Sequence, residues 1–107
     1  MTLQEIYDLA VEMGIKTDPR GEAEVKRILA KLKKEFDELP KKKKKYIDPQ
    51  SFTNPYADTR ILFGDSKIQV KRAFVGIDAD ATEILLADRL EQKGTKIDAV
   101  IGHHPSG

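Results

Sequence analysis

The chain holds only two histidines, and they are adjacent, in the segment Gly102-His103-His104-Pro105. Neutral imidazole is the commonest side-chain ligand for zinc and related metals. With no cysteine among the 107 residues, a bound metal must be held by histidine and carboxylate. In extended backbone successive side chains point to opposite sides, so neighbouring histidines reach two ions a few ångströms apart more readily than one. Two ions about 3.5 to 4 Å apart can bridge a water, lower its pKa and polarise a phosphoryl or carbonyl oxygen, which is the chemistry of metal-assisted hydrolysis. Pro105 steers His104 away from the helical region, and Gly102 lets the backbone bend just before the pair.

The elements that must position these residues follow from hydrophobic pattern. Ile97-Asp98-Ala99-Val100-Ile101 is a strand that runs into the histidines, and Ala73-Phe74-Val75-Gly76-Ile77-Asp78 is an earlier strand that stops at a carboxylate. Between them, apolar Ile84, Leu85, Leu86, Ala87 and Leu90 lie beside Glu83, Asp88, Arg89, Glu91 and Gln92 over 82–93, a helix stopped by Gly94. Strand, helix and strand of these lengths form a βαβ unit whose right-handed crossover makes the strands parallel. Asp78 and the pair His103-His104 then meet at one sheet edge, where open α/β sheets bind ligands. A further strand is predicted at Arg60-Ile61-Leu62-Phe63-Gly64-Asp65.

The amino-terminal half reads as helical. Thr2 and Glu5 have capping-box spacing, Leu3, Ile6, Ala10 and Met13 recur at helical intervals, and Gly14 can close a helix over 2–13. Asp18-Pro19 opens a second helix over about 19–39, with the stripe Val25, Ile28, Leu29, Leu32, Phe36 and Leu39. The fold class is therefore α/β: amino-terminal helices followed by a βαβ unit of a mixed or parallel sheet. One domain divides into a helical segment over 1–40, a connector with lysines 41–45, Pro49 and Pro55 over 41–59, and a β-strand and βαβ segment over 60–107.

Plainer roles compete for some of these residues. His103 and His104 can form a simple surface loop, and Asp78, Asp80 or Thr82 can cap the helix that follows, the latter two being favoured for it. Asp98 is expected to face solvent or pair with Lys96 or Lys71. Charged residues make up 35% of the chain, yet 19 basic and 18 acidic groups leave a net charge of only +1. No global field then favours nucleic acid or membrane, and neither is expected as a partner. The lysine run, which could meet an acidic partner or RNA, is expected to be a solvated connector. Gly64 and Gly76 form no phosphate-binding pattern. No signal peptide and no span of about 20 apolar residues is visible, so a cytoplasmic location is expected.

From about Asp58 to Gly107, the runs Arg60-Ile61-Leu62-Phe63-Gly64-Asp65, Val75-Gly76-Ile77-Asp78-Ala79 and Ile97-Asp98-Ala99-Val100-Ile101-Gly102-His103-His104-Pro105 resemble the amino-terminal part of the NIF-three-like family, also labelled GTP cyclohydrolase type-two-like. That resemblance implies an α/β fold with two divalent metal ions per intact site, zinc, iron or manganese, and His103 and His104 as ligands. It also implies a toroidal homohexamer and a small-molecule substrate. Family members complete the centre with a later aspartate and a His-x-x-x-Glu pair, which do not occur in these 107 residues, so the chain is expected to be part of a larger fold and to bind metal weakly by itself. In place of the family's tryptophan-aspartate-asparagine segment stands Tyr56-Ala57-Asp58-Thr59. Two function classes follow: a metal-dependent hydrolase acting on a nucleotide, with Asp78 as a neighbouring ligand, base or orienting group, and a non-catalytic metal-binding interaction or regulatory protein.

Overall fold

A computed structural model of the chain describes residues 1–104. Pro105 lies outside the described residues, so its predicted effect on His104 does too. The elements in order are α1 (Leu3–Thr17), α2 (Glu22–Asp37), α3 (Lys41–Lys44), a 3₁₀ turn (Pro49–Phe52), β1 (Ala73–Gly76), α4 (Ala81–Gln92) and β2 (Ala99–Gly102). They form two compact units, one from residues 7–61 and one that joins residues 1–6 to the segment from 62 onward. Among the described residues no helix is long and apolar enough to cross a membrane.

The helical unit is organised by α1, α2 and the turn after them. The α1 capping box forms as its spacing predicts: the Thr2 backbone N–H donates to Glu5 Oε1 at 3.1 Å, and the Glu5 N–H donates to Thr2 Oγ1 at 3.1 Å. The Thr2 N–H, by donating to it, holds the Glu5 carboxyl below its usual range. Gly14 does not end the helix, which continues to Thr17. Its missing side chain serves packing instead, since a Cβ there would lie 3.0 Å from the Tyr56 ring. The buried residue of α1 is Val11, whereas Ala10 and Met13 of the predicted stripe are exposed.

The second helix begins later than Asp18-Pro19 suggests, because Gly21 breaks the chain with a φ of 88° that only glycine adopts readily. Asp18 is used otherwise. Its carboxylate accepts the Arg20 backbone N–H at 2.9 Å, both guanidinium branches at 3.0 and 2.9 Å, and the Tyr56 hydroxyl at 2.9 Å. Along α2 the stripe buries Val25 and Leu29, and Phe36 meets Phe52 with ring centroids 4.8 Å apart. Buried Asn54 ties the unit together by donating to the Tyr7 hydroxyl and the Thr59 carbonyl while accepting the Tyr56 N–H. The segment 41–59 is thus more than a connector: lysines 41–44 wind into α3, and the 3₁₀ turn packs on α2.

In the other unit β1 and β2 pair in parallel, in the register Ala73↔Ala99, Phe74↔Val100, Val75↔Ile101 and Gly76↔Gly102, with α4 as the crossover. This is the predicted βαβ unit. The strand expected at 60–65 does not form. Arg60 turns inward to donate to the Tyr56 and Thr59 carbonyls, Phe63 is 95% exposed, and no described strand offers this run a ladder. Backbone pairing occurs just beyond it, where the Leu3 N–H donates to the Ile68 carbonyl, Val70 donates to Met1, and Thr2 forms an antiparallel bridge with Gln69.

Candidate metal centre

The site is built by the ends of the two parallel strands. Both finish on a glycine, Gly76 opposite Gly102. Beyond them the ladder continues as the His103 N–H donates to the Gly76 carbonyl at 3.0 Å and the His104 N–H donates to the Ile77 carbonyl at 2.7 Å. The chain after β1 folds closely over this end: a Cβ on Gly102 would stand 2.9 Å from the Ala79 Cβ, and one on Gly76 would stand 2.8 Å from the Asp78 carbonyl oxygen. Glycine at both positions lets the chain after β1 close over the sheet end without displacement, so that Asp78 and the histidine pair share one edge.

At that edge His104 Nδ1 lies 3.4 Å from Asp78 Oδ1, with the two side chains 58% and 53% exposed. The imidazoles of His103 and His104 sit side by side, with centroids 5.0 Å apart and planes inclined by 36°. Strict alternation would have sent them to opposite faces, but the segment bends after Gly102 and brings both rings together. All three predicted site residues are thus neighbours. Two imidazoles and a carboxylate are a donor set suited to a divalent metal ion. Among the described residues, no three His, Asp or Glu side chains close around a common ion position.

The neighbouring acids divide by role. Asp80 occupies the N-cap position of α4 without a capping hydrogen bond from its side chain, and Thr82 lies inside the helix. Asp98 is half-buried and structural: its carboxylate accepts the backbone N–H groups of Lys71 at 2.9 Å and Arg72 at 3.0 Å, which hold its carboxyl below the usual range, with Lys96 at 3.9 Å. Spacing did not single out Glu83, in the first turn of α4. Its Cγ would be 3.8 Å from a Cβ on Gly76, and its Oε2 is buried with no hydrogen-bond partner among the described residues. A buried carboxylate oxygen without a donor is costly, so Glu83 stands out as a group at the strand end ready to accept a further hydrogen bond or ion. The only signal for it in the sequence is a carboxylate five residues after Asp78, a position where acids also occur simply to favour a helix start.

A groove of about 360 Å³ in the helical unit, lined by Tyr7, Val11, Ile15 and Asn54 among others, includes none of these residues. Comparison of the chain with family models, with curated proteins and with solved structures gives no match.

Proposed function

We propose that the chain carries part of a dinuclear metal centre of the NIF-three-like kind, with His103 and His104 as ligands and Asp78 beside them, serving metal-dependent hydrolysis of a nucleotide in the cytoplasm. The observation that supports this most is the shared strand edge, where His104 faces Asp78 at 3.4 Å and the His103 ring lies alongside. Divalent ions bound there would supply Lewis-acid polarisation of a phosphoryl or carbonyl oxygen. The chain's own residues do the rest. His103 and His104 present ring nitrogens, Asp78 Oδ1 stands 3.4 Å from His104 Nδ1, and Glu83 offers a buried acceptor at the base of the edge. Oligomerisation into a hexamer belongs to the same proposal.

Elemental analysis of the purified protein, alongside zinc, iron and manganese titrations, tests the metal reading. Bound metal is expected in protein that carries the complete ligand set, reduced there by His103→Ala and His104→Ala, whereas these 107 residues alone should bind it weakly or not at all. Metal content near zero in the protein with the complete set, or content unchanged in both variants, would overturn it. Metal-dependent turnover of GTP or another nucleotide, abolished by the same substitutions, is expected for a hydrolase; full occupancy without turnover would leave a non-catalytic metal-binding protein.

A further inference from the structure

Lysines 41–45 form the densest concentration of charge in a chain whose net charge is only +1. Four of them are wound into α3, and Lys45 follows with helical dihedrals, φ −65° and ψ −18°. Like charges three and four residues apart oppose a helical turn, so the run holds its shape against its own repulsion. Among the described residues none of the five has a carboxylate at ion-pair distance. Two flanking acids are engaged elsewhere, Asp37 with Lys33 at 3.2 Å and Asp48 with Arg60 at 3.2 Å.

The nearby rings are already capped by ammonium groups. Lys33 and Lys44 stand over Phe36 at 4.9 and 5.3 Å, Lys33 stands over Phe52 at 5.1 Å, and Lys45 stands over Tyr46 at 5.1 Å. Of these rings only Tyr46 is largely exposed, at 78%, and one ring is a poor platform where single strands stack on several.

We infer that lysines 41–45 are a docking surface for the phosphate backbone of duplex nucleic acid, bound without regard to sequence. Charge density selects this occupant. The five ammoniums originate within about 7.5 Å of axis, distributed round one turn on long side chains that can swing toward a common partner, and duplex DNA, with one negative charge per about 1.7 Å, is dense enough to neutralise them. An extended acidic peptide offers at most one per about 3.3 Å, on alternating sides. Lysine ammoniums act as point charges and lack the planar fork that reads guanine edges, so phosphate contact without base discrimination is the result. The overall charge balance that argues against nucleic acid is an average, and winding the run into one turn makes the local field differ sharply from it.

The test is fluorescence anisotropy of the whole chain with two labelled DNA duplexes of unrelated sequence, each about 20 base pairs, across a salt series. Both should bind with the same affinity, and log K should fall against log salt with a slope between about −2 and −4.5, as expected for release of counterions from two to five phosphates. The variant K41Q/K42Q/K43Q/K44Q/K45Q should bind at least about tenfold more weakly, with a flatter slope, while the five-fold Lys→Arg variant retains binding. Circular dichroism of both variants checks that the helices persist. Absence of binding by the native chain at low salt, undiminished binding by the glutamine variant, or tighter binding to polyglutamate or phosphatidylserine vesicles than to duplex would each overturn the inference.

Discussion

At the scale of single residues, the molecule separates side chains by how many partners they have. Asp18 is the most heavily bonded acid, since the Arg20 guanidinium, the Arg20 N–H and the Tyr56 hydroxyl all donate to it and hold its carboxyl far below the usual range. Tyr56 is pushed up in turn, by burial first and by its bond to Asp18 second. Because folding lowers the Asp18 pKa, the unfolded chain takes up its proton first on acidification. The stabilisation is complete above the ordinary value of 3.8 and is lost as pH falls below it. Urea midpoints measured from pH 6 down into this range should fall steeply for the native chain and less steeply for Asp18→Asn; superimposable acid limbs would show that the cluster contributes nothing to acid stability. The histidine pair was legible in sequence because its residue type is rare in this chain and its strand context is clear. Glu83 was not, because an orphaned oxygen is a property of packing, and the same residue type in a first helical turn is commonplace.

At the scale of elements, the βαβ unit was legible because two apolar runs and a helical pattern lie in order, while the exact strand ends depended on where the chain turns. β1 stops at Gly76, short of Asp78, because the backbone must fold over the sheet end there. The missed strand at 60–65 shows the opposite case. An apolar run specifies extended backbone only when a partner ladder exists, and periodicity carries no information about partners. Likewise Gly14, expected to close the first helix, packs against a ring, while Gly21, inside the span expected for the second, breaks the chain. The tight crossing at the sheet end makes its own prediction. Gly102→Ala places a methyl 2.9 Å from the Ala79 Cβ and should destabilise the unit by about 1–3 kcal/mol, read from denaturant midpoints. Ala79→Gly in the same chain should restore part of the loss, giving a coupling term in the double-mutant cycle; strictly additive effects would mean the two residues do not touch.

At the scale of the whole molecule, the two units differ in how they are held. The helical unit has a small core of Val11, Val25 and Leu29, reinforced by the Asn54 hydrogen bonds. The βαβ unit buries Ala87 but leaves Val75, Ile77, Ile84, Leu85 and Leu86 between 50% and 68% exposed. A two-stranded sheet is marginal without a larger apolar face to pack on. Under native conditions the protein should therefore enhance the fluorescence of a hydrophobic dye such as ANS, and Leu85→Gln should reduce the signal without abolishing the far-ultraviolet helical spectrum; no enhancement would mean these residues are covered in solution. The parallel register carries a consequence for tolerated changes of length. A residue gained between Thr95 and Asp98, beyond the hydrogen-bonded cap of α4 at 93–95, can be absorbed by the connection before β2, leaving Gly76 opposite Gly102. The same change between Gly102 and His104 would shift which imidazole hydrogen-bonds across to Ile77 and faces Asp78. Drift in chain length is thus permitted on one side of β2 and forbidden on the other, a boundary only four residues wide.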